Sequence, residues 1–152
     1  MSKKKWQIDD LENGLTFCKA ADLVLKNRLN QVLQDINTYF SSESVEGLHR
    51  VRISLRRLRY SMELFISCYD KKKFMILYKR VTELQDLSGQ VRDFDVMSAN
   101  MNDLLEKDKV RITENVINKV YDIRSGFQVK LKLELMRFIH SKAVKNFEGL
   151  LN

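Results

Sequence analysis

LHRVRISLRRLRYSMELF, residues 48–65, is the stretch whose reading decides the fold. At ~100° of rotation per residue, Leu48, Val51, Leu55, Leu58, Met62, Phe65 and Ile66 share one broad apolar sector, the mark of an amphipathic helix with a buried face. His49, Arg52, Arg56 and Arg59 fall beside it in a stripe roughly 80° wide, which Glu63 continues. Ile53, Tyr60 and Leu64 form a narrower apolar sector on the far side of the stripe. The charges are therefore expected between two packed surfaces, with Arg50 and Arg57 pointing outward. Cations that border packed surface lose hydration, and that loss is costly unless an anion or an acidic side chain compensates.

Working outward, the neighbouring segments carry the same period. Ile8 to Phe40 reads as a long first helix, with Leu11, Leu15, Cys18, Leu25, Leu29, Val32, Ile36 and Tyr39 at three- and four-residue spacings and Asp22 interrupting the stripe. Ser41 to Ser44 break that pattern and offer serine caps for the arginine-rich helix. After Cys68-Tyr69-Asp70, a helix is predicted from Lys71 to Ser88 with Gly89 as its stop, since glycine commonly ends helices in the left-handed conformation. Asp93 and Asp95 are then placed to cap a fourth helix running to Glu106. A last helix is predicted from Val110 to about Phe147, with a bend at Gly126 or at His140-Ser141. The expectation is an all-α fold: one domain over residues 1–152, an antiparallel bundle of about five helices. Within it, a long first helix (7–40) and a long last helix (110–148) flank the motif helices (45–106).

Composition agrees. The 152 residues include no proline and only five glycines, as helices joined by short loops require. The net charge of +7 is concentrated in residues 45–92, which hold eleven Lys/Arg against five Asp/Glu and so point to an anionic partner. Two cysteines are too few for a disulfide framework and lack metal-ligand spacing, from which a reduced, cytoplasmic setting is expected. No run approaches the ~18 consecutive apolar residues of a membrane span, and no cofactor or metal site is expected.

The motifs LHRVRISLRRLRYSMELF and LQDLSGQVRDFDVM, in this order and in a proline-free helical chain, resemble those of the CHAD family, the conserved histidine α-helical domain. His49, Arg52, Arg56, Arg57 and Arg59 match the family's His-x-x-Arg followed by Arg-Arg-x-Arg. Gly89, Arg92, Asp93, Asp95 and Val96 match its Leu-Gly-x-x-Arg-Asp-x-Asp-Val, with Ser88 in place of the leucine. The resemblance implies a helical domain that binds inorganic polyphosphate, with basic residues of the motif helices lining a channel or groove. It also implies a location that includes polyphosphate granules. Family members usually hold two related four-helix halves, and this chain resembles the first half only, so two copies are expected to pair as a homodimer across a shared groove.

Polyphosphate is a flexible line of like charges, and the span from His49 to Arg59 covers ~15 Å of helix along which arginine forks can grip phosphate oxygens. The competing reading pairs these arginines with Glu63, Asp93 or Asp95. Lys73 and Arg80, seven apart beside an apolar face, are candidates to extend the site, as are Arg92, Lys130 and Arg137. No serine or cysteine is recognisably paired with a base and no phosphate-cradling glycine-rich loop is present, so binding without catalysis is expected. Nucleic acid fits less well, because exposed aromatics for base stacking are not interleaved with the charges.

Overall fold

The computed structural model describes residues 8, 11, 14–107 and 112–151. Among them are five α-helices and no strand: α1 Phe17–Ser42, α2 Val45–Phe65, α3 Lys71–Lys107, α4 Glu114–Ile139 and α5 Lys142–Leu150, with a 3-10 turn at Ile66–Cys68. The all-α bundle is as predicted; several boundaries are not. The first helix begins at Phe17 and not at Ile8, because Gly14 takes φ 101° and Thr16 then caps the helix by accepting from the Lys19 N–H. Leu11 and Leu15, expected in the core, are exposed.

α1 ends where Glu43 enters the left-handed region at φ 46° and donates its N–H to the Tyr39 carbonyl. Ser44 immediately caps α2, accepting from Gly47 N–H at 2.9 Å. This two-residue reversal forces the helices close together. A Cβ on Gly47 would lie 3.0 Å from Ser44 Oγ and 3.4 Å from the Tyr39 ring, so glycine is what permits the approach. Tyr39 against Gly47 at one end of the pair and Cys18 bonded to Cys68 at the other fix an antiparallel register along its whole length.

That Cys18–Cys68 disulfide, with Cα atoms 5.4 Å apart, corrects the expectation of free thiols. Two cysteines too few for a framework still suffice for one staple, and the basis for expecting a reduced setting falls with the free thiols. Beside the staple, Phe17 packs on Phe65 at 5.0 Å between ring centroids, and Tyr69 donates to Asp22 at 2.6 Å. Asp22 thus breaks the apolar stripe to receive a hydrogen bond from 47 residues away.

The predicted break at Gly89 is absent. α3 runs straight through it, because Leu84, Leu87, Ser88 and Val91 keep one buried face on both sides and Gly89 does not adopt positive φ. Asp93 and Asp95 accordingly sit inside a helix and cap nothing. The predicted last helix divides at His140, where Ser141 caps α5 by accepting from Val144 N–H; Gly126 lies within α4, and the predicted start at Val110 lies outside the described residues.

α2 packs between α1 and α3, and α3 packs against α4 and α5. α4 closes back toward α1 through Gln128, which donates to Tyr39 Oη at 3.4 Å, and through the Lys132–Glu43 ion pair. Tyr39, Phe74 and Phe147 are the largest fully buried side chains, Phe74 and Phe147 meeting at 5.5 Å between centroids. Burial on this face stops at Val91 on α3 and begins at Leu131 on α4. Residues 92–107 and 114–127 therefore extend past the core as a helical arm, held by Phe94 stacked on Phe127 and by Arg124 donating to Asp95. No described helix is long and apolar enough to cross a membrane.

Candidate anion-binding site

The buried sector of α2 is the predicted one, with Leu48, Val51, Leu55, Leu58, Met62 and Phe65 in the core. The second apolar sector is packed only at Ile53, which is half-buried. Tyr60 and Leu64 are 57% and 62% exposed, so α2 has one buried face and His49 and Arg56 lie near the crown of the open face. The reason is topological: among the described residues α2 packs chiefly against α1 and α3, which leaves its outer side open.

The arginines divide between the two flanks of that open face. Arg52 and Arg59 are half-buried on the α3 side, where Arg59 Nε donates to Glu63 at 3.0 Å and the Tyr78 hydroxyl of α3 donates to the same carboxylate oxygen at 2.6 Å. The Tyr78 hydrogen bond, and then Arg59, hold the Glu63 carboxyl below its ordinary pKa against the opposing effect of burial. Seven-residue steps put Tyr78, Gln85 and Arg92 on one row of α3, so Arg92 belongs to this side too. Arg52, Arg56 and Arg92 have no carboxylate within ion-pair distance among the described residues. Of the carboxylates weighed as internal partners, Glu63 takes Arg59 alone, and Asp95 is engaged by Arg124.

Arg57, expected to point outward with Arg50, is half-buried like it, on the α1 flank. There it faces Arg28, a residue that sequence reasoning did not single out because the first helix read as ordinary bundle. Burial first, and then the charge of Arg57, lowers the Arg28 pKa from its usual value. Its Nε is buried with no acceptor among the described residues.

The remaining candidates lie on other surfaces. Arg80 and Lys130 line a cleft of about 340 Å³ between α3 and α4, together with Glu83, Asp86 and Glu134. Arg80 is 3.8 Å and Arg137 2.7 Å from Glu134, so these cations have carboxylate partners and the cleft is of mixed charge. Lys73 stands at the start of α3 against α5, near Lys145. The ten predicted positions thus occupy an open row on α2 and α3 (His49, Arg52, Arg56, Arg59, Arg92), the α1 flank (Arg57), the α3–α4 cleft with its rim (Arg80, Lys130, Arg137) and the α5 end (Lys73). They do not form one site.

The fold and the row together define a class: an all-α bundle whose second helix presents a histidine and several arginines on an uncovered face. The CHAD domain model matches residues 8–102, well over half the chain, and the chain belongs to that family. No curated protein and no solved structure matches it. The matched region holds α1, α2 and most of α3; Lys130 and Arg137 lie beyond it.

Proposed function

We propose that this chain binds inorganic polyphosphate, without chemically altering it, along the α2–α3 row. One observation carries the reading: along the α2–α3 row Arg52, Arg56 and Arg92 have no carboxylate within ion-pair distance among the described residues, whereas Arg80, Arg124 and Arg137 on the α3 and α4 surfaces each have one. Half-buried Arg52 pays for its place only when an anion arrives. Membership of the CHAD family supports polyphosphate as that anion. An open row suits a flexible polymer, because contact is made with successive phosphates and no enclosed pocket is needed.

With four to six cations engaged and a slope of about −0.7 per contact, as for single-stranded nucleic acids, log affinity should fall with log salt at roughly −3 to −4. Arg52→Ala with Arg56→Ala should weaken binding far more than Lys26→Ala with Lys119→Ala, two exposed lysines of equal total charge on other faces. Equal losses, with helicity preserved by circular dichroism, would reduce the site to net charge. Incubation with polyphosphate and Mg²⁺ should leave the polymer length on a gel unchanged.

One observation favours a second reading. Tyr60, more than half exposed and directly after Arg59 in sequence, offers a ring for base stacking that the expectation of a buried apolar sector had excluded. Single-stranded RNA displacing polyphosphate at fixed salt, with the competition lost in Tyr60→Ala, would decide for nucleic acid. A homodimer belongs to the same proposal, with exposed Tyr60 and Leu64 available as apolar contacts beside the shared charges; light scattering with and without polyphosphate tests it.

A further inference from the structure

Arg28 and Arg57 present a problem that the α2–α3 row does not solve. The register set by Tyr39 on Gly47 and Cys18 on Cys68 puts Arg28 and Arg57 level with each other across α1 and α2, close enough for the charge of Arg57 to act on Arg28. Neither has a carboxylate within ion-pair distance among the described residues. Asp35, two turns along α1 from Arg28, accepts instead from Gln31 at 3.0 Å. Arg50, two turns before Arg57, adds a third half-buried cation to the same flank. Arg28 Nε is shielded from solvent and donates to nothing among the described residues. Like charges held together, partly desolvated and with an unmet donor, are unfavourable until an anion lies between them.

The donors fix what that anion is. Two planar forks level with one another on neighbouring helices offer several N–H groups, which match the several oxygens of a tetrahedral oxyanion better than a single carboxylate. We infer that the α1–α2 seam is a second phosphate-binding site, in which Arg28 and Arg57 clamp one phosphate group on the flank of α2 opposite the proposed row. The group is either free phosphate or one unit of a polyphosphate chain; the latter rests on the function proposed above. The two flanks are separated by the open face of one helix, ~10 Å across, with Arg56 at its crown. A long chain lying in the row can therefore pass over α2 and be held on both sides, whereas a short one occupies a single flank. Polymer-length preference would arise from this crossing.

Thermal unfolding with inorganic phosphate, and binding titrations with tripolyphosphate and long-chain polyphosphate, separate the possibilities. Wild type is compared with Arg28→Gln, Arg57→Gln and the Arg52→Ala, Arg56→Ala double variant, each confirmed helical. Phosphate should raise the melting temperature of wild type and of the double variant, and both glutamine variants should lose most of that rise. Without phosphate, Arg28→Gln should melt no lower than wild type, because it removes a repulsion; a purely structural arginine would give a lower melting point and overturn the inference. Long chains should bind Arg28→Gln on the order of tenfold more weakly, the worth of one charge-assisted contact, and tripolyphosphate should lose less. An undiminished phosphate response in both glutamine variants sinks the seam site. Should long chains bind wild type and Arg28→Gln equally but fail with the double variant, the crossing over α2 falls and the row stands. If long chains bind none of the proteins while the phosphate response depends on Arg28, the seam stands and the polymer reading falls.

Discussion

Glu63 is the one carboxylate in the α2 row, and it competes with phosphate for Arg59. Removing its charge in Glu63→Gln should tighten polyphosphate binding a few-fold at low salt, while the lost surface pair costs stability no more than about 1 kcal/mol. Unchanged or weaker binding in a titration would place the polymer elsewhere. Just past the same end of α2, Tyr69 has its pKa pushed up, by burial first and then by the hydrogen bond to Asp22. The folded state favours the neutral phenol, so its contribution is complete below the unfolded value of about 10 and is lost as pH climbs through the folded one. Tyr69→Phe should cost about 1 kcal/mol near neutrality, and the gap between the two proteins in denaturant titrations should close in strong alkali. The α2 arginines were visible in the sequence because they share a helix. Arg28 and Tyr78 were not, since their partners are 29 and 15 residues away and no helical period links them.

Among the elements, the α3–α4 arm shows why some boundaries escaped prediction. Gly89 looks like a stop only when its local preference is considered; the buried face running on to Val91 outweighs it. Gly89→Ala should then stabilise the protein by ~0.5–1 kcal/mol, because the position is helical and a Cβ would meet nothing within 4 Å. A drop in denaturation midpoint would mean that the glycine serves the site and not the helix. Beyond Val91 the arm has little burial and leaves Met97, Leu104, Val116 and Ile123 exposed, so it should open before the core does. Asp95 is 8% exposed where it receives Arg124, which makes that pair the principal polar tie. Asp95→Ala strands the arginine and should cost ~1–3 kcal/mol. Hydrogen exchange should show the loss in residues 92–107 and 114–127 while the amides of α2 keep their protection. The motif aspartates were legible as important residues, but their job was not, because a capping role and a cross-helix ion pair use the same side chain.

At the scale of the whole molecule, bundle class followed from period and the lack of proline; the number of helices agrees only because the fusion of two into α3 offsets the division of the last into α4 and α5. The covalent connection did not follow, since a cysteine pair 50 residues apart leaves no local trace. Closing a loop of that length removes chain entropy worth about 4 kcal/mol, so reduction should lower the melting temperature substantially without abolishing helicity. The staple also has a mechanical meaning. A chain pulled by its two ends transmits tension through the sulfur bridge, and α1, α2 and the turn between them, enclosed in the ring, carry no load. The residues between the two cysteines stay hidden from the force until a reductant is added, when roughly 170 Å of new contour length should be released in one step. In the oxidised protein the arginine-rich helix would therefore sit in a slack, shielded segment while the arm and the helices after it bear the strain.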